Sequence, residues 1–156
     1  MAQEIERKFL VKEGTDIDSL GKTTKIIQGY LSTIKERTVR VRIRGDRGFL
    51  TIKGIGSRSG ATRYEFEKEI TLKEAKELLE LCKKPILSKN RTDVKVGKHI
   101  FEIDRFFLEN DGLVVAEIEL ESEDEPFEKP NWLGEEVTGD IKYYNSMLLK
   151  NPYKNW

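Results

Sequence analysis

The chain has 156 residues, of which 28 are acidic and 28 are basic, so 36% of it is charged against roughly 25% in an average domain. No window approaches the roughly 18 apolar residues of a membrane helix. The single histidine argues against a zinc site or a histidine-based triad, and the zero net charge argues against a nucleic-acid partner. The single cysteine excludes an internal disulfide and favours the reducing cytoplasm.

Alternation of apolar and charged residues predicts strands in much of the first 70 residues, because side chains two apart share one face of a strand. In residues 39–44, for example, three arginines alternate with Val39, Val41 and Ile43. A Gly-Asp-Arg-Gly turn at 45–48 connects this strand to the next one. The predicted strands are 4–11, 26–32, 39–44, 49–53 and 64–70, with a short helix at 16–20 and a flexible loop at 54–62.

An amphipathic helix is predicted after the fifth strand. Thr71 and Glu74 form a capping-box pattern, and apolar residues follow at helical spacing from Ala75 to Cys82. Pro85 is expected to end this helix.

The second half of the chain adds three predicted strands, at 89–95, 100–108 and 114–121. An acidic, proline-containing linker follows at 121–131. Asp140 is expected to cap a final helix, because Ile141, Tyr144 and Leu148 form one apolar stripe beyond it. No internal repeat or domain boundary interrupts the pattern, so residues 1–156 are predicted to form a single domain.

Most of the eight predicted strands have one apolar face and one charged face, and the charges are sorted by sign. Like charges two residues apart on one face repel each other, and buried ion pairs rarely repay their desolvation. Eight antiparallel strands can close into a barrel without edges. We therefore predict a mainly β, α+β fold: a closed eight-stranded antiparallel barrel, or tunnel, with a few flanking helices and a C-terminal helix. Its charged faces would line a water-filled lumen. Two alternatives remain: the charged faces lie on the solvated outside of the sheet, or they point inward and are neutralised by a full set of internal salt bridges.

The two signs of charge suit two parts of one ligand. Arginine and lysine suit phosphate oxygens, whereas carboxylates suit a hard divalent cation such as Mg²⁺ or Mn²⁺. A polyphosphate that chelates a metal ion satisfies both. The basic set is Lys8, Arg40, Arg42, Lys53, Lys89 and Arg91, and the acidic set is Glu4, Glu6, Glu65, Glu67, Glu102, Asp104, Glu117 and Glu119.

These residues lie in seven short motifs, in an order that resembles the CYTH superfamily, the triphosphate tunnel metalloenzymes. The motifs are Glu4-Ile5-Glu6-Arg7-Lys8, Arg40-Val41-Arg42, Lys53, Glu65-Phe66-Glu67, Lys89-Asn90-Arg91, Glu102-Ile103-Asp104 and Glu117-Ile118-Glu119. The E-x-E-x-K pattern alone is weak, whereas the ordered set covers essentially the whole chain. The ending Glu136-Val137-Thr138-Gly139-Asp140, followed by Tyr143, Tyr144 and Asn145, also resembles the short bacterial members.

The resemblance implies a role for each set. Glu4, Glu6, Glu117 and Glu119 would bind Mg²⁺ or Mn²⁺, with Glu65, Glu67 and Asp104 completing the set of metal ligands. Lys8, Arg40, Arg42, Lys53, Lys89 and Arg91 would bind the triphosphate. Glu6, Lys8 and Tyr30 would be catalytic, Lys8 at a terminal phosphate and Tyr30 bound to Lys8 or to the attacking water; an ordinary rim tyrosine is the alternative for Tyr30.

The function that follows is metal-dependent hydrolysis of a linear triphosphate: inorganic tripolyphosphate, or a nucleoside or thiamine triphosphate. A class IV adenylyl cyclase, which converts ATP to cyclic AMP and pyrophosphate, is the main alternative, because the same motifs serve both reactions. A non-catalytic polyphosphate-binding module is a third. The short chain, with no evident adenine-binding insert, favours hydrolysis of a compact substrate. The partner is thus a small molecule, with no nucleic acid or membrane, and the protein is expected to be a monomer or homodimer.

Overall fold

The computed structural model describes residues 2–156, and in this range the fold consists of nine strands and one α-helix. The elements are β1 (Gln3–Val11), β2 (Lys22–Ser32), β3 (Arg37–Arg44), β4 (Arg47–Gly56), β5 (Thr62–Ile70), α1 (Leu72–Leu81), β6 (Lys83–Val96), β7 (His99–Phe106), β8 (Val114–Glu119) and β9 (Leu133–Glu136). Five single-turn 3-10 helices occupy Ile17–Ser19, Leu108–Asn110, Ile141–Tyr143, Asn145–Met147 and Tyr153–Asn155.

Eight of the strands form a closed ring in the order β1–β5–β4–β3–β2–β6–β7–β8, with every neighbouring pair antiparallel. β1 closes the ring because it pairs with β8, where Lys8 lies opposite Glu117, and with β5, where Glu4 lies opposite Arg63. The ninth strand, β9, pairs antiparallel with the C-terminal end of β1, at Phe9 and Val11. The predicted closed eight-stranded antiparallel barrel is confirmed.

The apolar strand faces point outward and pack beneath the rest of the chain. Phe101, for example, is buried against Trp132 of the segment that follows β8. On another side of the barrel, Leu148 of the C-terminal region is fully buried against the wall. Burying a large apolar side chain contributes about 1.5–3 kcal/mol, so these outer contacts stabilise the barrel while leaving the lumen to polar groups.

Helix α1 covers a third side of the barrel, and its predicted capping box is present. Thr71 Oγ1 accepts from the backbone N of Glu74 at 3.0 Å, and Glu74 Oε1 accepts from the backbone N of Thr71 at 2.9 Å. Ala75 is buried against β3 and β4 beside Gly48, where a Cβ would lie 2.7 Å from that of Ala75. None of the helices among residues 2–156 is long and apolar enough to cross a membrane.

The predicted C-terminal helix is wrong. Asp140 does act as a cap, since its carboxylate accepts from the backbone N of Lys142, but the capped helix is the single turn Ile141–Tyr143. Tyr144 is extended, with φ −67° and ψ 130°, and ends that turn. The predicted few flanking helices are likewise reduced to α1 and short 3-10 turns in the described part of the chain.

Residues 137–146, here called the closing segment, cross one end of the barrel. The segment starts on β1, where the backbone N of Val137 donates to Lys8 O at 2.8 Å and Thr138 Oγ1 accepts from Lys8 N at 2.9 Å. It reaches β2 and β6, where Asn145 Oδ1 accepts from Gln28 Nε2 at 2.9 Å and from Lys89 Nζ at 2.8 Å. Because β1 and β2 are opposite each other in the eight-membered ring, the segment must pass over the lumen.

Candidate active site in the barrel lumen

A cavity of about 250 Å³ lies in the lumen and brings together nearly all the predicted site residues. Strand alternation places them there, because residues two apart on each strand face the same side. The predicted residues that line the cavity are Glu4, Glu6, Lys8, Tyr30, Arg40, Arg42, Lys53, Glu65, Glu67, Lys89, Arg91, Glu117 and Glu119. Of the predicted set, Asp104 is the residue that does not line it.

Two neighbouring arginines of β3 have unused donors inside the cavity wall. Nη2 of Arg40 and Nη2 of Arg42 approach one oxygen of Glu67, at 3.6 and 3.5 Å, while the Nε atoms of both arginines are buried without a hydrogen-bond partner. Burial, and then the charges of Arg40 and Arg91, lower the pKa of Arg42 to about 10, so it is still charged at neutral pH. The two guanidinium groups thus line the cavity with a single carboxylate near them, which makes this wall suitable for binding an anion.

A second cationic wall is built around Asp104, which is fully buried behind it. Lys89 Nζ lies 2.7 Å from Asp104 Oδ2, and Arg91 binds both carboxylate oxygens through Nε at 2.8 Å and Nη2 at 2.9 Å. Burial lowers the pKa of Lys89 to about 8, although Asp104 opposes this shift. The carboxylate of Asp104 is therefore occupied by two cations and orients them toward the cavity.

Glu4, Glu65 and Lys53 form a compact cluster on three adjacent strands. Lys53 Nζ lies 2.8 Å from Glu4 Oε1 and 3.5 Å from Glu65 Oε2. Burial, and then a hydrogen bond with Glu4, raise the pKa of Glu65 to about 7. Burial also acts to raise the pKa of Glu4, but the charge of Lys53 leaves it below its usual value. Near neutral pH Glu65 is thus partly protonated, beside an ionised Glu4 and one lysine.

Glu6 and Glu117 form a second carboxyl pair. Burial, and then the charges of Glu117 and Glu4, raise the pKa of Glu6 well above its usual range. Burial works in the same direction on Glu117, yet Lys8 and a hydrogen bond from Glu6 hold the pKa of Glu117 well below its usual range. A divalent cation suits such a pair, because it can replace the shared proton with hard oxygen ligands already in place.

The protein alone does not enclose a metal ion. Among residues 2–156, no three carboxylate, imidazole or thiol side chains converge closely enough to hold one. Mg²⁺ commonly binds through one or two carboxylates, with water and substrate phosphates as the other ligands. The donor set therefore fits an ion that binds together with a phosphate substrate.

Lys8 and Tyr30 both face the cavity but are not bonded to each other. Lys8 Nζ donates to the backbone carbonyl of Tyr143 at 3.2 Å, whereas the hydroxyl of Tyr30 accepts from Gln28 Nε2 at 3.4 Å. Tyr30 is buried, with 5% of its surface exposed, and its ring also belongs to the apolar cluster around Leu148. The predicted Lys8–Tyr30 contact is replaced by contacts with the closing segment and β2.

Several further residues line the cavity without having been predicted as site residues. Arg63 lies two residues before Glu65 on the same strand face, so extending the alternation by one step would have found it. The closing segment has no strand alternation from which its lining residues could be predicted, because its cavity contacts depend on how it crosses the barrel. The additional lining residues include Thr38, Arg44, Arg63, Thr138, Tyr144, Asn145 and Ser146, and Glu102 of the predicted acidic set lines the cavity as well.

Comparison with known proteins agrees with this architecture. The CYTH domain family model matches residues 2–146. An inorganic triphosphatase from Acetivibrio thermocellus is 48% identical over 157 residues, spanning 100% of this chain and 99% of the relative. An inorganic triphosphatase from Nitrosomonas europaea is 36% identical, spanning 93% and 95%. A crystal structure of an inorganic triphosphatase has a TM-score of 0.64 at 32% identity, covering 96% of this chain and 95% of that one. The chain belongs to the CYTH domain family.

Proposed function

We propose that residues 1–156 act as one domain that hydrolyses inorganic triphosphate in the barrel lumen, with the help of a divalent metal ion. The observation that carries the proposal is that one cavity is lined both by several cationic side chains, among them Arg40 and Arg42, and by paired carboxyl groups. An anion of several phosphates suits the cations, and its metal ion suits the carboxylates. The names of the two relatives support inorganic triphosphate as the substrate.

The cationic residues bind and stabilise the phosphate chain. Fixed positive groups in a cavity shielded from bulk water stabilise the charge that spreads over a transferring phosphoryl group. Lys8 contacts a terminal phosphate, since its ammonium group lies beside the closing segment at one end of the lumen. The proposed phosphate ligands are Lys8, Arg40, Arg42, Lys53, Lys89 and Arg91.

The acidic residues hold the metal ion, which is Mg²⁺ or Mn²⁺. When bound, the ion supplies charge neutralisation and Lewis acidity at the phosphate oxygens. The proposed ligands are Glu4, Glu6, Glu65, Glu67, Glu117 and Glu119. We assign Asp104 a different role from the one the motif implies: it orients Lys89 and Arg91 from behind the wall.

Hydrolysis adds water across a P–O–P bond, so the water must be oriented and must lose a proton. The hydroxyl of Tyr30 orients the water in this proposal, and the carboxylate of Glu6 accepts its proton. The protonated Glu6 of the free protein must first ionise, and binding of a cation beside Glu117 lowers the pKa of Glu6 in the direction that this requires.

The test is incubation of the protein with tripolyphosphate and with ATP, each with Mg²⁺, with Mn²⁺ and with EDTA. We expect metal-dependent release of orthophosphate from tripolyphosphate. Glu6→Gln should abolish turnover while leaving the thermal melt cooperative, and Glu69→Gln, an exposed carboxylate paired with Arg47, is the matched control that should retain activity.

Two results would contradict the proposal. Cyclic AMP and pyrophosphate from ATP, without orthophosphate from tripolyphosphate, would identify a cyclase. Binding of tripolyphosphate without turnover under any metal would identify a binding module.

A further inference from the structure

The cations of the lumen fall into two groups. Five of them have a carboxylate oxygen within 4.0 Å, namely Arg40, Arg42, Lys53, Lys89 and Arg91. Three lining cations have no such partner among residues 2–156, namely Lys8, Arg44 and Arg63. Lys8 does feel the charge of nearby Glu117, but none of the three forms a close ion pair in the described part of the chain, so these positions have donors free for an incoming anion.

Arg63 is held in place by neutral acceptors. Its Nε donates to the backbone carbonyl of Gly54 at 3.2 Å, and its Nη2 donates to Thr38 Oγ1 at 3.3 Å. A guanidinium group has five N–H donors, so these two bonds fix its orientation and leave other donors and its whole charge available. Arg63 also lies on the same strand face as Glu65, which places it on the lumen side of β5.

Arg63 and Lys8 meet on one aromatic ring of the closing segment. Lys8 Nζ lies 5.6 Å and Arg63 Cζ lies 5.8 Å from the centroid of the Tyr144 ring. Such cation–π contacts stabilise each cation without neutralising it. Two cations therefore lie at the end of the lumen that the closing segment crosses, with no carboxylate bonded to either.

This end continues the arginine row of β3. Thr38, Arg40, Arg42 and Arg44 share one face of that strand, and Arg63 binds Thr38 at its start. A phosphate chain that lies along Arg40 and Arg42 would therefore reach Arg63 and Lys8 with its last phosphate.

We propose that Arg63 is a further substrate-binding residue, which together with Lys8 binds a terminal phosphate of the triphosphate, and that Tyr144 positions both cations. The inference rests on the proposed function, since it assigns one more ligand to the same substrate. It predicts that Arg63 contributes to affinity in the ground state, more than to the chemical step.

The experiment measures triphosphate binding by calorimetry in EDTA, where no turnover occurs, and KM and kcat with metal. Arg63→Gln should weaken triphosphate binding about 10- to 100-fold, the usual effect of a lost charged hydrogen bond, and should raise KM much more than it lowers kcat. The matched control is Arg105→Gln, which removes the same charge from a surface ion pair with Asp18 on the outer side of β7. This control should bind triphosphate like the wild type.

The outcomes separate the two proposals. Absence of triphosphate binding in EDTA together with absence of metal-dependent turnover in the wild-type protein would overturn the proposed function itself. Wild-type affinity in Arg63→Gln, with a binding-competent wild-type protein, would overturn the role of Arg63 alone. If Arg63→Gln does not fold, Arg63→Lys replaces it, because it keeps the charge and loses the anchoring bonds to Gly54 and Thr38; about 3- to 10-fold weaker binding is expected, and unchanged affinity would overturn the inference.

Discussion

At the scale of single residues, the depth of Asp104 decides its role. Strand alternation puts Asp104 on the lumen side of β7, yet its register partner Arg91 and the nearby Lys89 close over it. A carboxylate that binds two cations at 2.7–2.9 Å has few lone pairs left for a metal ion. It is instead the counter-charge that allows two phosphate-binding cations to be buried.

Asp104→Asn tests this view through stability. The substitution keeps the shape but leaves Lys89 and Arg91 buried with less counter-charge, and breaking a buried ion pair costs about 3–5 kcal/mol. We expect a loss of this size in the free energy of unfolding, measured by urea denaturation of the ligand-free protein.

The matched control for this prediction is Glu69→Gln, which breaks the exposed Arg47–Glu69 pair. An exposed pair is screened by solvent, so its removal should not change stability measurably. Similar unfolding curves for Asp104→Asn and Glu69→Gln would mean that Asp104 does not anchor the cationic wall.

At the scale of elements, the closing segment and the loop after β4 hold each other at one end of the lumen. Gly60 and Gly139 both have positive φ, +79° and +80°, and touch backbone to backbone: a Cβ on Gly60 would lie 2.5 Å from Gly139 Cα. The same loop is fixed from outside by Glu123, which accepts from Ser57 and Ser59. This contact sets the position of Tyr144 and Asn145 farther along the segment.

Gly139→Ala should therefore impair both stability and substrate binding. The new Cβ would lie 2.5 Å from Ser59 O, so the segment has to shift. A left-handed alanine costs about 1–2 kcal/mol, and the overpacking adds about 1–3 kcal/mol. We expect a lower thermal midpoint and a raised KM for triphosphate, because Tyr144 and Asn145 shift with the segment.

Gly97→Ala separates the two contributions to this effect. Gly97 has φ +61°, but a Cβ added there would meet no atom within 4 Å, so alanine at this position brings only the backbone strain. Its KM should equal that of the wild type. An equal loss of stability and an unchanged KM in both variants would show that the contact between loop and segment does not matter.

Much of this element structure could be predicted from alternation alone. The eight barrel strands and their charged faces follow from period-two patterns, and α1 follows from its capping box. Strand ends were less predictable: β6 begins at Lys83, before Pro85, and the short β9 has no alternation to reveal it. The final helix failed because Asn145 bonds to Gln28 and Lys89 across the lumen, a tertiary contact that overrides local helical spacing.

At the scale of the whole molecule, the barrel strands turn their charged faces toward the lumen and their apolar faces outward. The outer faces of the strands are apolar beneath α1, the C-terminal region and the segment after β8, whereas charged side chains line the lumen. The cations come from different sides of the ring: Lys8 from β1, Arg42 from β3, Lys53 from β4 and Lys89 from β6. A ligand that contacts all of them ties together strands that are not neighbours in the sheet.

Triphosphate should therefore stabilise the entire barrel, even without metal or turnover. A ligand at 100 times its dissociation constant adds about 2.7 kcal/mol to the stability of the folded state. For a chain of this length each kcal/mol raises the thermal midpoint by about 2–4 °C, so a rise of about 5–10 °C is expected in EDTA.

Orthophosphate at the same concentration and ionic strength should give a much smaller rise, because one phosphate cannot reach strands on opposite sides of the lumen. The double variant Arg40→Gln, Arg42→Gln should lose most of the triphosphate effect, whereas Arg105→Gln, on the outer wall, should keep it. Equal shifts with orthophosphate and triphosphate would contradict a ligand that spans the lumen, since they would point to a local anion site on a single strand pair.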